Sequence, residues 1–189
     1  MAAQPLSSGR RLALLGLLGL CFGLARAEPA AVPALQTVAR VDVQRYLGTW
    51  YEIAKYPNWF QRKCASDTQA NYRLVGPGRL EVLNRCRQAD GQLTEVLGQA
   101  RQIGAADSPK LQVRFAPQWL SFLPVVWGDY WIIDLEDDYQ LVAVSEPKRA
   151  YLWILSRTPQ VQPQRYQAML ARIKAQGFDL APLELTPQR

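Results

Sequence analysis

Tyr46-Leu47-Gly48-Thr49-Trp50-Tyr51-Glu52-Ile53-Ala54 is the stretch on which the reading of the fold turns. Trp50 to Lys55 within it is the first candidate strand. Working outward, short apolar segments alternate with turn residues at regular spacing. Thr68 to Leu74 and Arg79 to Asn84 flank Gly76-Pro77-Gly78, a hairpin signal. Leu93 to Gln102 and Lys110 to Phe115 flank a loop rich in Gly, Ala, Asp, Ser and Pro. Tyr130 to Leu135, Gln140 to Ser145 and Tyr151 to Ser156 complete the set, separated by Glu136-Asp137-Asp138 and Glu146-Pro147-Lys148. No crossover helix interrupts these eight strands, which argues for an antiparallel sheet. Eight strands close into an up-and-down barrel just wide enough for one small ligand. The expected class is all-β, with one helix outside.

That helix follows the last strand. Tyr166, Met169, Leu170 and Ile173 stand at i, i+3, i+4 and i+7 and share one face. Pro163 suits its first turn and Gly177 its stop. A single apolar stripe predicts packing against the outside of the barrel, since a membrane-surface helix wants a richer basic face. Phe178 to Leu185 could add a short edge strand.

The N-terminus reads as a leader. Arg10 and Arg11 precede an uncharged apolar run from Leu12 to Leu24, and Ala25-Arg26-Ala27 offers small residues for cleavage. The run is too short for a membrane span. Residues 1–27 are therefore expected to be a signal peptide, residues 28–40 a linker and residues 41–189 the folded domain. An uncleaved anchor is the alternative. Cys21 is a candidate for lipidation, although Leu20 before it is bulkier than such a signal wants; a lipid there would attach the protein to a membrane.

The chain has 22 basic and 16 acidic residues; three of the basic ones, Arg10, Arg11 and Arg26, fall in the leader, leaving 19 against 16. Those charges are dispersed, so nucleic acid is an unexpected partner. Beyond Cys21 the cysteines are Cys64 and Cys86. An even pair in an exported chain favours a disulfide, which would stabilise by about 3 kcal/mol on the chain-entropy estimate. Two free thiols are the alternative. A zinc site and any metal cofactor are disfavoured, because the chain has no histidine.

Gly48-Thr49-Trp50-Tyr51-Glu52 resembles the G-x-W signature of the lipocalin family. The run from Tyr46 to Ala54 is especially similar to the branch holding the bacterial outer-membrane lipocalins and apolipoprotein D. Tyr151 to Pro159 resembles the segment with the family's third signature, an arginine, here Arg157. The middle signature, T-D-Y, is met incompletely by Leu135-Glu136-Asp137 or Asp137-Asp138-Tyr139. The resemblance runs from about Val41 to Leu185. It implies a barrel that carries a small hydrophobic ligand, of the fatty acid or lysophospholipid class, at the envelope of a bacterium.

Strand direction then assigns roles. The first strand leaves the closed end and the last returns to it, so Arg157 laid over Trp50 would gain a cation–π contact of about 0.5–2 kcal/mol. Gly48, Trp50 and Arg157 are thus read as structural closure. The connections after strands one, three, five and seven should line the open mouth. Ala116 to Gly128 is conspicuously apolar and brings Trp119, Phe122 and Trp127, while Trp59 and Phe60 follow strand one. Such patches mark ligand, partner or membrane contact, unless the loop folds back as a plug. Cys64, just before strand two, and Cys86, just after strand three, should meet at this end. Alternation along the last strand puts Tyr151, Trp153 and Leu155 on the cavity wall, and Trp131 and Ile133 join them by analogy. These aromatics could instead simply fill the barrel. Arg62 and Lys63 are candidates to hold an anionic headgroup.

The expected function is reversible lipid binding without catalysis. An enzyme is disfavoured because histidine and G-x-S-x-G are both missing. A protein-interaction module, including a homodimer that shares the mouth, is the rival. Peripheral contact with the outer membrane, from its periplasmic side, is also expected.

Overall fold

Along Gly48–Lys55 (β1) Trp50, Glu52 and Ala54 are buried, with Trp50 facing the interior and Ala54 the outside because the register shifts between Glu52 and Ala54. The structure, a computed structural model, describes residues 33–189. The expected leader and Cys21 lie outside the described residues. The eight strands are β1, Cys64–Gly76 (β2), Arg79–Gln88 (β3), Leu93–Gln102 (β4), Lys110–Arg114 (β5), Gly128–Leu135 (β6), Leu141–Ser145 (β7) and Leu152–Ser156 (β8). Each pairs antiparallel with the next, and β1 pairs with both β8 and β2. The sheet therefore closes as a barrel, as the sequence predicts.

Two apolar clusters occupy its two faces. Trp50, Tyr72, Leu80, Val82, Ala100, Leu111, Ile132, Val142, Val144 and Leu155 fill the interior. Ala54, Ile133, Leu141, Ala143, Leu152 and Ile154 face outward under Pro163–Ala175 (α2), which lays Met169 and Ile173 on them. The strand β7 serves both clusters and is buried at every position, which is why its sequence does not alternate. Burial of each large α2 side chain stabilises by about 1.5–3 kcal/mol. Gly177 ends the helix with φ of +87°, a conformation that glycine adopts without strain.

Two features go beyond the sequence reading, and a third extends it. Asp42 caps a short helix, Val43–Tyr46 (α1), by accepting from the N–H groups of Gln44 and Arg45. Leu35 is buried beside the outer cluster, and the Val38 N–H donates to the Ile132 carbonyl at 3.0 Å; packed structure thus reaches into the segment read as a linker. Glu184–Leu185 (β9) pairs with Ala54 and Lys55 of β1, just past the point where β2 leaves that strand. The tail continues this seam. Gln188 Nε2 donates to the carbonyls of Glu52 (2.7 Å) and Thr68 (3.0 Å), and the Asp67 N–H donates to the Pro187 carbonyl at 2.8 Å. So β9 is the short edge strand that the sequence allows, paired with β1 alone, and the tail beyond it bridges β1 to β2.

Candidate ligand-binding site

The closed end is built around Trp50. Arg157 lies over its indole, 3.9 Å from guanidinium carbon to ring centroid, and donates to the Thr49 carbonyl at 3.0 Å. The indole N–H donates to the Tyr46 carbonyl at 2.9 Å. Gly48 has φ of +90°, and a Cβ there would stand 3.5 Å from Arg157 Nη1. Around them, Tyr139 accepts from the Asp42 N–H at 2.8 Å while Arg45 stacks on its ring. Asp138 accepts from Arg165 at 2.8 Å, and Asp137 offers its backbone carbonyl to Arg45. Of the two incomplete middle motifs, the one ending in Tyr139 is therefore woven into the closed end.

Above Trp50 three tyrosine hydroxyls meet within the buried apolar interior. The Tyr130 hydroxyl contacts those of Tyr46 (2.8 Å) and Tyr72 (2.7 Å). Burial holds all three phenols protonated, with Tyr72 pushed up to about 12. The triad is invisible to sequence reasoning, because only the register brings strands β2 and β6 and helix α1 to one point.

Higher up, the interior opens. β5 ends opposite Gln99, so Leu93–Gly98 of β4 rise without a β5 neighbour. The register places Val96 opposite Asn84 and Gly98 opposite Val82, all facing in. A Cβ on Gly98 would stand 2.5 Å from the Phe115 ring, so glycine leaves the space that Phe115 takes. Val96 and Phe115 face inward yet are 43% and 41% exposed, so solvent reaches the inner wall at this end, the cup. Asn84 Oδ1 in this wall is buried without a hydrogen-bond partner among the described residues.

The opposite wall is aromatic. Tyr151 and Trp153 stack with centroids 5.7 Å apart, and Phe60 leans on both at 5.7 and 6.2 Å. Beneath them runs a polar chain: Trp153 Nε1 donates to Gln61 Oε1 (3.0 Å), and Gln61 Nε2 donates to Glu52 Oε2 (2.6 Å). Thr186 Oγ1 donates to the other Glu52 oxygen at 2.6 Å, with Lys55 Nζ at 3.8 Å. Burial raises the Glu52 pKa despite these donors. Glu52 stands in the quoted stretch, but nothing in its spacing marks it as a buried carboxylate.

The expected wall residues divide. Leu155 is buried in the interior cluster, with Trp153 packed against it, and Tyr151 joins Trp153 at the mouth. Trp131 and Ile133 do not line the cavity, a correction to the sequence reading. Both face the outer cluster, with Lys110 Nζ 4.2 Å from the Trp131 centroid, and Tyr130 and Ile132 point in instead. A register irregularity between Ile132 and Asp134 resets the alternation. Trp127 is also corrected. It folds against the wall at the root of its loop, with Arg101 and Arg114 at 4.0 and 5.3 Å from its ring and its N–H donated to the Ser121 carbonyl. Trp119 and Phe122 are 73% and 74% exposed, so they do not plug the barrel. Cys64 and Cys86 form a disulfide with Cα atoms 5.4 Å apart. They stand inside β2 and β3 rather than beyond them, because both strands are longer than their apolar runs. Irregular register around Ser66 brings the two residues together.

Such an antiparallel barrel, sealed by an arginine–tryptophan stack and cupped at its other end, defines a class of small-molecule-binding folds. The comparisons place the chain within it. The Lipocalin-like domain family model matches residues 41–188, and the chain belongs to the lipocalin family. Temperature-induced lipocalin-1 of Arabidopsis thaliana is 38% identical, over 82% of this chain and 83% of that protein. Outer membrane lipoprotein Blc of Escherichia coli is 36% identical, over 84% and 85% respectively. Mouse apolipoprotein D is 33% identical, over 78% and 77%. Among solved structures, insecticyanin from Manduca sexta superposes with a TM-score of 0.63 at 19% identity, covering 84% of this chain and 87% of its own. Lobster apocrustacyanin A1 gives 0.60 at 16%, covering 77% and 79%.

Proposed function

We propose that the protein binds a small hydrophobic ligand of the fatty acid or lysophospholipid class in this cup. It stores or transports that ligand in the bacterial envelope and so supports membrane maintenance. The observation that carries the reading is the open cup, walled by Val96 and Phe115 on one side and Phe60, Tyr151 and Trp153 on the other. Apolar surface buried there would drive binding at roughly 25 cal/mol per Å² before association costs. Arg62 and Lys63 are exposed on the loop that carries Phe60, within reach of an anionic headgroup outside the cup. Similarity to relatives named as outer membrane lipoproteins and apolipoproteins supports the lipid class and the peripheral outer-membrane site. Cys21 would supply a lipid anchor there. The disulfide fits an exported protein. The protein acts as a carrier without turnover.

Native mass spectrometry of protein purified from its own envelope fraction tests this. A co-purifying lipid of defined mass, lost in Trp153→Arg, is expected. An empty protein that also refuses added lysophospholipid would overturn it. A mass that doubles with concentration would favour the rival, a self-association module at the mouth.

A further inference from the structure

The connections after β1 and β5 leave the same end of the barrel, and both are apolar at their tips. Val125 is 87% exposed and Trp59 69%, joining Trp119 and Phe122. Loops that stabilise only themselves do not present side chains of this size to water. Neither connection contains an acidic residue: residues 56–63 carry Arg62 and Lys63, and residues 115–128 carry no charge at all.

The root of the longer loop adds two cations. Arg101 and Arg114 both face the Trp127 ring. Arg101 donates to Gln112 Oε1, and Arg114 to Gln99 Oε1 and the Ala116 carbonyl. Neither forms an ion pair among the described residues. Arg114 is only 3% exposed, and its Nε is buried without a partner. A buried cation without a counter-charge is costly. Arg114 thus leaves its positive charge uncompensated beneath the exposed apolar loop, while Arg101 is linked through Gln112 to Asp129.

We propose that this end of the barrel docks on an anionic lipid bilayer. Trp59, Trp119, Phe122 and Val125 enter its apolar layer, while Arg62 and Lys63 stand at the level of the phosphates. The proposal rests on the envelope reading above and deepens it by naming the headgroup charge. Tryptophan tips beside cations suit the bilayer interface, where the ring is half in hydrocarbon and the cation meets the negative surface. A protein partner would have to supply a large apolar pocket and an acidic rim at once; a bilayer of anionic lipid supplies both over any area. Docking would also bring the cup mouth to the surface that holds its ligand.

Flotation of the chain from Glu28 onward, which contains every barrel element, with vesicles of defined lipid tests the proposal. Vesicles of phosphatidylcholine alone are compared with vesicles that also contain phosphatidylglycerol. Stronger binding to the second kind is expected, by about five-fold for each cation engaged. The variant Trp119→Ser/Phe122→Ser should lose binding to both kinds. Arg62→Gln/Lys63→Gln should lower binding to the anionic vesicles alone, and Arg101→Gln, at the closed end of β4, should not. Added salt should act like the charge variants. A lysophospholipid titration should be unchanged in Trp119→Ser/Phe122→Ser, so loss of docking and loss of the carrier activity are read separately. Equal binding to both kinds of vesicle would overturn the proposal. So would vesicle binding that survives Trp119→Ser/Phe122→Ser, or a concentration-dependent dimer that the same variant dissolves.

Discussion

Arg157 and Trp50 are separated by 107 residues of chain and lie face to face at 3.9 Å. Their contact joins the start of the first barrel strand to the end of the last. The same guanidinium donates to the carbonyls of Thr49 and Arg45, so one side chain both stacks and caps. Lysine offers a point charge without the plane or the fork. Arg157→Lys should therefore destabilise by about 1–3 kcal/mol. Urea titration of the two proteins should show a lower midpoint at unchanged slope. An unchanged midpoint would mean that the stack is incidental.

The tyrosine triad gives a graded test. Three hydroxyls carry three hydrogens but make two mutual contacts, both through Tyr130. Tyr72→Phe removes one hydrogen and one bond, and should cost about 1 kcal/mol. Tyr130→Phe removes both bonds and strands the hydroxyls of Tyr46 and Tyr72, and should cost about 2–4 kcal/mol. Equal effects would contradict the geometry. The phenols also predict an alkaline limb. Their folded pKa values are raised, to about 12 for Tyr72, so above pH 10 the folded state keeps protons that the unfolded state releases. Stability should fall as pH rises through that window. Ultraviolet titration should show these tyrosines ionising only with unfolding.

Much of the barrel was legible in local chemistry. Turn residues separate the strands, and the glycine, tryptophan and arginine of its closed end stand in recognisable settings. Strand ends and facing were less so. Leu135 packs against the interior, and strict alternation back from it would turn Ile133 and Trp131 inward too. The irregularity beside Asp134 breaks that count, since Asp134 pairs with Ala143 and Ile132 with Val144. A bulge changes the parity of every residue beyond it, yet leaves no mark in composition. The tail failed to show for another reason. Thr186 and Gln188 act through the gap between β1 and β2, which exists only once the barrel has closed.

Glu52 predicts an unusual pH response. Burial raises its folded pKa above the ordinary value of 4.5. Between that value and the raised one, the folded state binds a proton that the unfolded state has released, so this residue's contribution to stability falls as pH rises through the window. Glutamine can accept from Gln61 with its oxygen and donate to Thr186 Oγ1 with its amide. Glu52→Gln should thus be at least as stable as the parent at pH 8 and should flatten the stability profile above pH 4.5. Melting temperatures measured across that range decide it. A large loss at pH 8 would show that the carboxylate charge is needed to hold the Gln61 loop and the tail.

Gly98 tests the cup itself. A Cβ there would meet the Phe115 ring at 2.5 Å and the Arg114 carbonyl at 2.9 Å. The ring can swing away, since Phe115 is partly exposed, but the carbonyl belongs to β5 and is tied through Gln99 to β4. Gly98→Ala should therefore destabilise by about 1–3 kcal/mol, the usual range for overpacking. Adding Phe115→Ala should restore only part of that, because the backbone clash remains. The small-ligand titration should separate the two effects. Gly98→Ala displaces a wall residue and should weaken lipid binding even where the protein stays folded. Full binding by folded Gly98→Ala would place the ligand away from Phe115, against the aromatic wall of Phe60, Tyr151 and Trp153 alone.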